Sequence, residues 1–391
     1  MERHIAIAGA GIGGLAAALS LAKVGMRVTV LERAPALHEV GAGLQISPNA
    51  SRILIDLGLH DALKAVAVAP LSIRIHAGRS AHELNHVNLG ENAEKRYGAP
   101  YWSIHRGELQ AVLGEAARAN PNIDLRLGAA VVDANEDASG VTVMLEGPDI
   151  PAPVTADALV AADGVWSKVR ANVLKLPGAA FTGRTAWRAL LPIEAAPAQF
   201  RFNGGLWIGP SAHLVHYPVS GGTKFNIVAI VKDDWNEEGW SAPGDPAVLL
   251  RRFANWAPLA RAVLSLPDEW LKWALCGMPP AGQPWHRGRV ALLGDAAHAM
   301  LPFAAQGAAM AIEDGAILAQ ELGSDQPVEA ALSAYEHRRR PRVERVVATA
   351  LENDKLYHAS GPAAHFRDAG LRVLGSRMLL ARYDWIYSWR P

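Results

Sequence analysis

The chain has 391 residues, with Lys+Arg and Asp+Glu equal at 38 each, a balance that offers no basic field to nucleic acid or an anionic membrane. Half of the residues are hydrophobic and 19% are charged, the composition of a globular protein large enough for two or three units. The single cysteine, Cys276, excludes an internal disulfide and any metal centre built on several thiolates, so no metal site is expected and a reducing, cytoplasmic setting fits.

Residues 4 to 33 read as one βαβ unit. His4 to Ala8 is a short apolar strand and Gly9 to Gly14 a glycine turn. Leu15 to Gly25 is a small-residue helix and Arg27 to Leu31 a second strand. The apolar stretch from Ile5 to Ala22 has the length of a membrane span, but glycine at 9, 11, 13 and 14 breaks it early, and no targeting signal or integral membrane segment is expected. A helix is predicted over Arg106 to Arg118. Asp124 to Glu146 alternates as short strands around a turn at Asn135 to Gly140, and Ala158 to Ala162 is a buried strand ending in Asp163-Gly164.

From Phe181 to Cys276 the chain turns rich in tryptophan, proline and β-branched residues, as in a sheet-based unit. At Arg289 the alternation of apolar strand and small-residue helix returns: a strand over Val290 to Leu293, then Gly294-Asp295, then a helix from near Ala304 to Leu322. The pattern is α/β. It predicts a Rossmann-type nucleotide domain over 1–72, 98–180 and 277–391, carrying C-terminal helices, with a β-sheet substrate domain of 73–97 and 181–276 inserted. The Arg338-Arg339-Arg340-Pro341-Arg342 run reads as a solvated helix face.

Gly9-Ala10-Gly11-Ile12-Gly13-Gly14 fits G-x-G-x-x-G after a strand and at the opening of a helix, the context that gives the pattern meaning. Gly9 permits the turn, Gly11 lets a pyrophosphate approach the backbone, and Gly14 lets helix and strand pack closely. Glu32, at the end of the second strand, is placed to accept hydrogen bonds from ribose hydroxyls. This motif alone does not separate FAD from NAD. A second one, Gly294-Asp295-Ala296-Ala297-His298 followed by Pro302-Phe303-Ala304-Ala305-Gln306-Gly307, puts an aspartate at a strand's carboxyl end and the positive end of a helix where a planar, electron-rich group would sit.

With these motifs in this order, the sequence resembles the group A FAD-dependent aromatic hydroxylases of the p-hydroxybenzoate hydroxylase fold, particularly the salicylate and 3-hydroxybenzoate 6-hydroxylases. The resemblance runs through essentially the whole chain. It implies FAD held by Gly9, Gly11, Gly14, Glu32 and Arg33 at its ADP end. Gln45, Arg106, Val131, Asp163, Asp295, Gly307 and Ala308 would lie along the rest of the cofactor, Gln45 within Gly41-Ala42-Gly43-Leu44-Gln45. It also implies NADH or NADPH as donor, O2 as co-substrate, a flavin C4a-hydroperoxide as hydroxylating species and a small aromatic acid as substrate. A homodimer is compatible with it. A single dinucleotide motif fits, since the nicotinamide cofactor has no separate Rossmann domain in this family.

His213-Leu214-Val215-His216-Tyr217 reads as a strand, on which His213 and Tyr217 share a face and His216 points away. In similar hydroxylases such a pair contacts the substrate phenol, so His213 and Tyr217 are the expected catalytic and substrate residues, with Pro302 beside them. A histidine is suited to take a phenolic proton, since the phenolate ring is the better nucleophile. His298 is expected either against the flavin or as a buried helix-start residue. Arg188 is a candidate carboxylate anchor, and equally a domain-interface ion. The related 6-hydroxynicotinate hydroxylases carry a histidine where this chain has Gln45 and a pocket cysteine near its Gly204-Gly205-Leu206. A heteroaromatic acid substrate or a non-catalytic flavin sensor is the alternative reading.

Overall fold

The computed structural model describes residues 3–37, 42–147, 152–235, 237, 241–279 and 282–391; Gly41, of the Gly41-to-Gln45 segment, lies outside them. The chain builds two principal sheets. The first has six strands in the order His286–Arg287, Val290–Leu292, Ala158–Ala161, His4–Ala8, Arg27–Glu32, Ile123–Leu127. All pairings are parallel except the His286–Arg287 edge. Ile5, Ile7, Val28, Val30, Leu159 and Val160 are fully buried, the near-continuous apolar runs of a sheet covered on both faces. His4–Ala8 lies between Ala158–Ala161 and Arg27–Glu32, so the chain winds outward from it in both directions and leaves a crevice at its carboxyl end.

Two helices close over that crevice, Ile12–Lys23 and Gly307–Leu322. They pack through small residues: a Cβ on Gly315 would stand 2.8 Å from Ala17 Cα. The second helix starts three residues later than its periodicity predicts. Ala305 takes a left-handed φ of 50°, so Pro302–Ala304 stays a separate 3₁₀ turn and the helix opens at Gly307.

The second sheet has eight strands in the order Ala242–Gly244, Trp270–Gly277, Ala180–Pro192, Lys224–Lys232, Ala212–Val219, Gly204–Gly209, Ser72–Ala77, Glu83–Asn88. Side chains alternate across it. Trp187, Trp207, Leu214, Phe225, Ile227 and Ala229 pack with Phe253 and Trp256 into one core. Arg188, Ile208, His213, Val215, Tyr217 and Val228 take the other face, toward the first sheet.

The chain closes with the helices Val328–Tyr357, Gly361–Val373, Ser376–Ala381 and Asp384–Tyr387. Here the arginine run departs from the solvated-face expectation. Arg339 is fully buried, its guanidinium bonded to Glu313 at 2.6 Å and Asp314 at 2.7 Å, and Arg342 joins Glu313 at 2.7 Å. In a helix the positions 339, 343 and 346 share one stripe, and Val343 and Val346 are buried with Arg339. Arg338, on another face, is the more exposed one. Among the described residues no helix is long and apolar enough to cross a membrane.

Candidate active site

A cavity of about 1120 Å³ runs from the glycine turn to the open face of the eight-stranded sheet. Ligand pockets commonly fall near 300–1,000 Å³. Room for more than one small molecule is therefore present. Its wall includes Gly9, Gly11, Glu32, Arg33 and Asp163 from the first sheet and its turns, Val131, Gln45, Arg106, Asp295, Pro302, Gly307 and Ala308, and His213, Tyr217 and Arg188 from the face of the eight-stranded sheet. Gly14 does not line the space but shapes it. A Cβ there would come within 2.0 Å of the Gly9 carbonyl oxygen, so only glycine lets the helix meet the turn.

The cleft fits a dinucleotide. Cβ atoms placed on Gly11 and Gly307 would meet no protein atom within 4 Å, so both project into free space that a bound group can occupy against bare backbone. Gly11 is the N-cap of the Ile12–Lys23 helix, whose positive end faces that space. Glu32 is held by the backbone N–H groups of Ala10 at 2.8 Å and Ala34 at 2.9 Å, which orient its carboxylate and leave further lone pairs for hydroxyl donors. Asp163 accepts from the Val169 N–H through Oδ2, while its buried Oδ1 has no partner among the described residues. Burial raises the Asp163 pKa against the hydrogen bonds from Ser167 and Val169.

At the sheet end, Tyr217 is buried and its phenol is pushed up to about 12 by burial, so it stays protonated and can donate. Gly43 makes room for its ring: a Cβ there would stand 2.6 Å from Tyr217 Cε2. His213 is buried, and that burial, with His358 and Arg184 nearby, holds its pKa well below the ordinary value. Its Nδ1 meets His358 Nε2 at 2.8 Å. His216 faces the opposite core, where Trp207 Nε1 donates to it at 3.1 Å.

Some residues sit elsewhere than expected, or carry no signal in the sequence. His298 does not line the cavity. Its Nε2 meets Asp314 at 2.6 Å beneath Trp285, the buried helix-start alternative. Gln306 also turns inward, bonded to Ser47 and Asn49, which with Glu313 link it to Arg339. This network anchors the start of the Gly307–Leu322 helix. Gln45 accepts from the Tyr101 hydroxyl at 2.9 Å.

Arg188 gains most from the structure. Its guanidinium lies 3.7 Å from the Trp273 ring centroid, it forms no ion pair among the described residues, and its Nε has no partner there. Burial lowers its pKa to about 9, which leaves it charged at neutral pH. Strand register sets it level with Val215, between His213 and Tyr217, since Arg188 and Val215 both pair with Val228.

A dinucleotide cleft continuous with a pocket lined by His213, Tyr217 and Arg188 is the arrangement of a redox enzyme whose cofactor and substrate share one space. The chain belongs to the FAD binding domain family, whose profile matches residues 2–350, and within it to the group A aromatic hydroxylases, with FAD as cofactor. It is 36% identical over 390 residues to 3-hydroxybenzoate 6-hydroxylase 1 of Aquipseudomonas alcaligenes, covering 99% of this chain and 98% of the relative. A salicylate hydroxylase substrate complex superimposes with a TM-score of 0.83 at 27% identity, covering 100% of this chain and 96% of that one. Klebsiella pneumoniae HpxO complexed with FAD and uric acid gives 0.82 at 26% identity, covering 97% and 95%.

Proposed function

We propose that the protein is an FAD-dependent monooxygenase that hydroxylates a small phenolic aromatic acid of the 3-hydroxybenzoate or salicylate type, with NADH or NADPH and O2. Arg188 carries this reading. An unpaired guanidinium on the cavity wall is costly unless an anion joins it, and an aromatic carboxylate matches both its charge and the flat, apolar surroundings.

Gly9, Gly11, Glu32 and Arg33 would hold the ADP end of FAD, with Gly14 behind them letting helix and turn meet. Arg106, Val131, Asp163, Asp295, Gln45 and the backbone at Gly307 and Ala308 would hold the remainder. Bound there, the flavin supplies hydride acceptance and oxygen activation. The protein's own part is positional. Arg188 anchors the carboxylate, His213 accepts the phenolic proton, Tyr217 donates to the oxygen that results, and Pro302 with Phe303 closes the pocket against water. Arg188 and His213 stand two strands apart, roughly 10 Å between backbones. An acid with carboxyl and hydroxyl on separated ring carbons therefore spans them better than an ortho-hydroxy acid.

In this reading residues 1–72, 98–180 and 277–391 form the FAD domain, and 73–97 with 181–276 the substrate domain. The protein would work in the cytoplasm, and a homodimer would be sought on the exposed Phe366, Val373 and Met378. The test is aerobic NADH oxidation by the FAD-loaded protein with 3-hydroxybenzoate, salicylate, 4-hydroxybenzoate and 6-hydroxynicotinate, with products identified by mass. The expected result is stimulation by 3-hydroxybenzoate above salicylate with gain of one oxygen atom. FAD binding with no stimulation by any acid would favour the sensor, and 6-hydroxynicotinate as best substrate would favour the heteroaromatic alternative.

A further inference from the structure

His213 does not end at the pocket wall. His213 Nδ1 meets His358 Nε2 at 2.8 Å, and His358 Nδ1 meets Asp354 Oδ1 at 2.9 Å. Arg184 fixes the far carboxylate from the Ala180–Pro192 strand, with Nε at 2.7 Å and a second nitrogen at 3.1 Å. Accessibility rises along the line: the His213 residue is 2% exposed, the His358 side chain 6% and the Asp354 side chain 22%. The chain of groups thus leads from the cavity to solvent, across the seam between the eight-stranded sheet and the Val328–Tyr357 helix. Phe303 and Tyr357 set their rings edge-on to His213 at 5.1 and 5.5 Å and wall it from water on those sides.

Hydrogen-bond logic fixes the direction. Burial would raise the Asp354 carboxyl, but the bonds from His358 and Arg184 outweigh it and hold the group below the usual range, so it is an acceptor at neutral pH. His358 must then donate from Nδ1, which leaves its Nε2 as acceptor. His213 must donate from Nδ1, which leaves its Nε2 bare. That Nε2 has no partner among the described residues, and His213 is a cavity-lining residue. Two successive tautomers are thereby set by one ion pair.

We propose that His213, His358 and Asp354 form a proton path that carries the phenolic proton of the bound acid from the pocket to solvent. The proposal rests on the reading of the protein as a hydroxylase of phenolic acids. The substrate O–H bond breaks as an N–H bond forms on His213 Nε2. The His213 Nδ1 proton passes to His358 Nε2, and the His358 Nδ1 proton passes to the Asp354 carboxylate and on to water. One proton leaves, and the pocket gains one negative charge, on the phenolate. Return of a proton along the same line restores both tautomers. His213 is the group that touches substrate; His358 and Asp354 act through it, as positioning residues and carriers. The charged and titratable groups bearing on His213 are His358, Arg184 and Asp354, with the Tyr357 ring packed against it at 5.5 Å.

The test uses the FAD-loaded full chain mixed rapidly with 3-hydroxybenzoate in weak buffer. A pH indicator follows proton release, the ultraviolet band follows the bound phenolate, and benzoate, which has no phenol, reports pocket integrity. His358→Phe is expected to bind benzoate as the wild type does but to release the proton about 100-fold more slowly. Phenolate formation should move to higher pH. His358→Gln, which keeps a donor and an acceptor, should recover part of the rate. Asp354→Asn gives a second route to the same answer if His358→Phe does not fold, with the same upward shift of the phenolate transition. Wild-type proton release and an unmoved phenolate transition in a variant that binds benzoate would overturn the path alone. If no phenolic acid binds the wild type, the functional reading falls and the path falls with it.

Discussion

Two arginines taken out of bulk water in this molecule meet opposite fates. Arg339, on the Val328–Tyr357 helix, is enclosed by Glu313 and Asp314, and the region around it extends through Asn49, Gln306 and His298 with its charges paired. Arg188, on the open face of the eight-stranded sheet, has an aromatic ring beneath it and no carboxylate. The chemistry follows the difference. Burial works to lower both pKa values; at Arg339 the charges of Asp314 and Glu313 outweigh it and raise the group, whereas at Arg188 burial prevails. The paired cluster sets the geometry of the cofactor helix, and the unpaired cation leaves an electrostatic place for a ligand.

The largest effect expected from breaking the comparison is at the paired end. Arg339→Met removes the buried cation shared by Glu313 and Asp314, leaving only Arg342 on the first and His298 on the second, and should destabilise the fold by about 3–5 kcal/mol, read by denaturant or thermal unfolding. Arg188→Met should do the reverse to the free protein, leaving stability unchanged or raised, because a costly unpaired charge is gone. Binding suffers instead: affinity for the aromatic acid should fall on the order of 100-fold by titration, with Arg188→Lys recovering part. A comparable loss of stability in both variants would show that Arg188 is a structural ion.

Acid sharpens the contrast. His213 and His216 are folded as neutral rings, held down by burial, His216 to about 3. The unfolded chain takes up protons on them below about pH 6.5 and the folded chain does not, so stability is full above that pH and falls below it. The slope should approach about 1.4 kcal/mol per pH unit for each ring. Asp314 behaves differently: burial opposes its ionisation, but His298 and Arg339 hold it at about 2. Its contribution is present above the unfolded value near about 4 and is lost only as pH falls toward 2. Unfolding curves taken from about pH 7 to 3 should show the histidine loss first, and an unchanged midpoint between about pH 7 and 5 would contradict it. The smallest effect is expected from Trp273→Leu, which removes the ring under Arg188 and should weaken acid binding only severalfold.

Legibility in the sequence follows how local each signal is. The βαβ unit is readable nearly residue for residue, His4–Ala8 then Arg27–Glu32, because a strand, a glycine turn and a helix are specified within about thirty positions. The alternation of His213, His216 and Tyr217 is readable for the same reason, period two along one strand. Arg188 is visible only as one of two alternatives. Its surroundings come from Lys224–Lys232, Trp273 and the registers that join them, none of which its neighbours in sequence announce. Arg339 reads as solvated because a run of arginines in a polar helix hides one inward position, and its carboxylate partners stand 25 and 26 residues away.

By itself the sequence determined the dinucleotide cleft, the order of its motifs and the sheet that carries His213 and Tyr217, since each depends on spacing within one element or one turn. Only the tertiary structure decided which cations are paired and which face the cavity, and that His213 leads through His358 to Asp354. Those outcomes depend on electrostatics between groups up to 170 residues apart, where enclosure and partner, not residue type, set the energy of a charge.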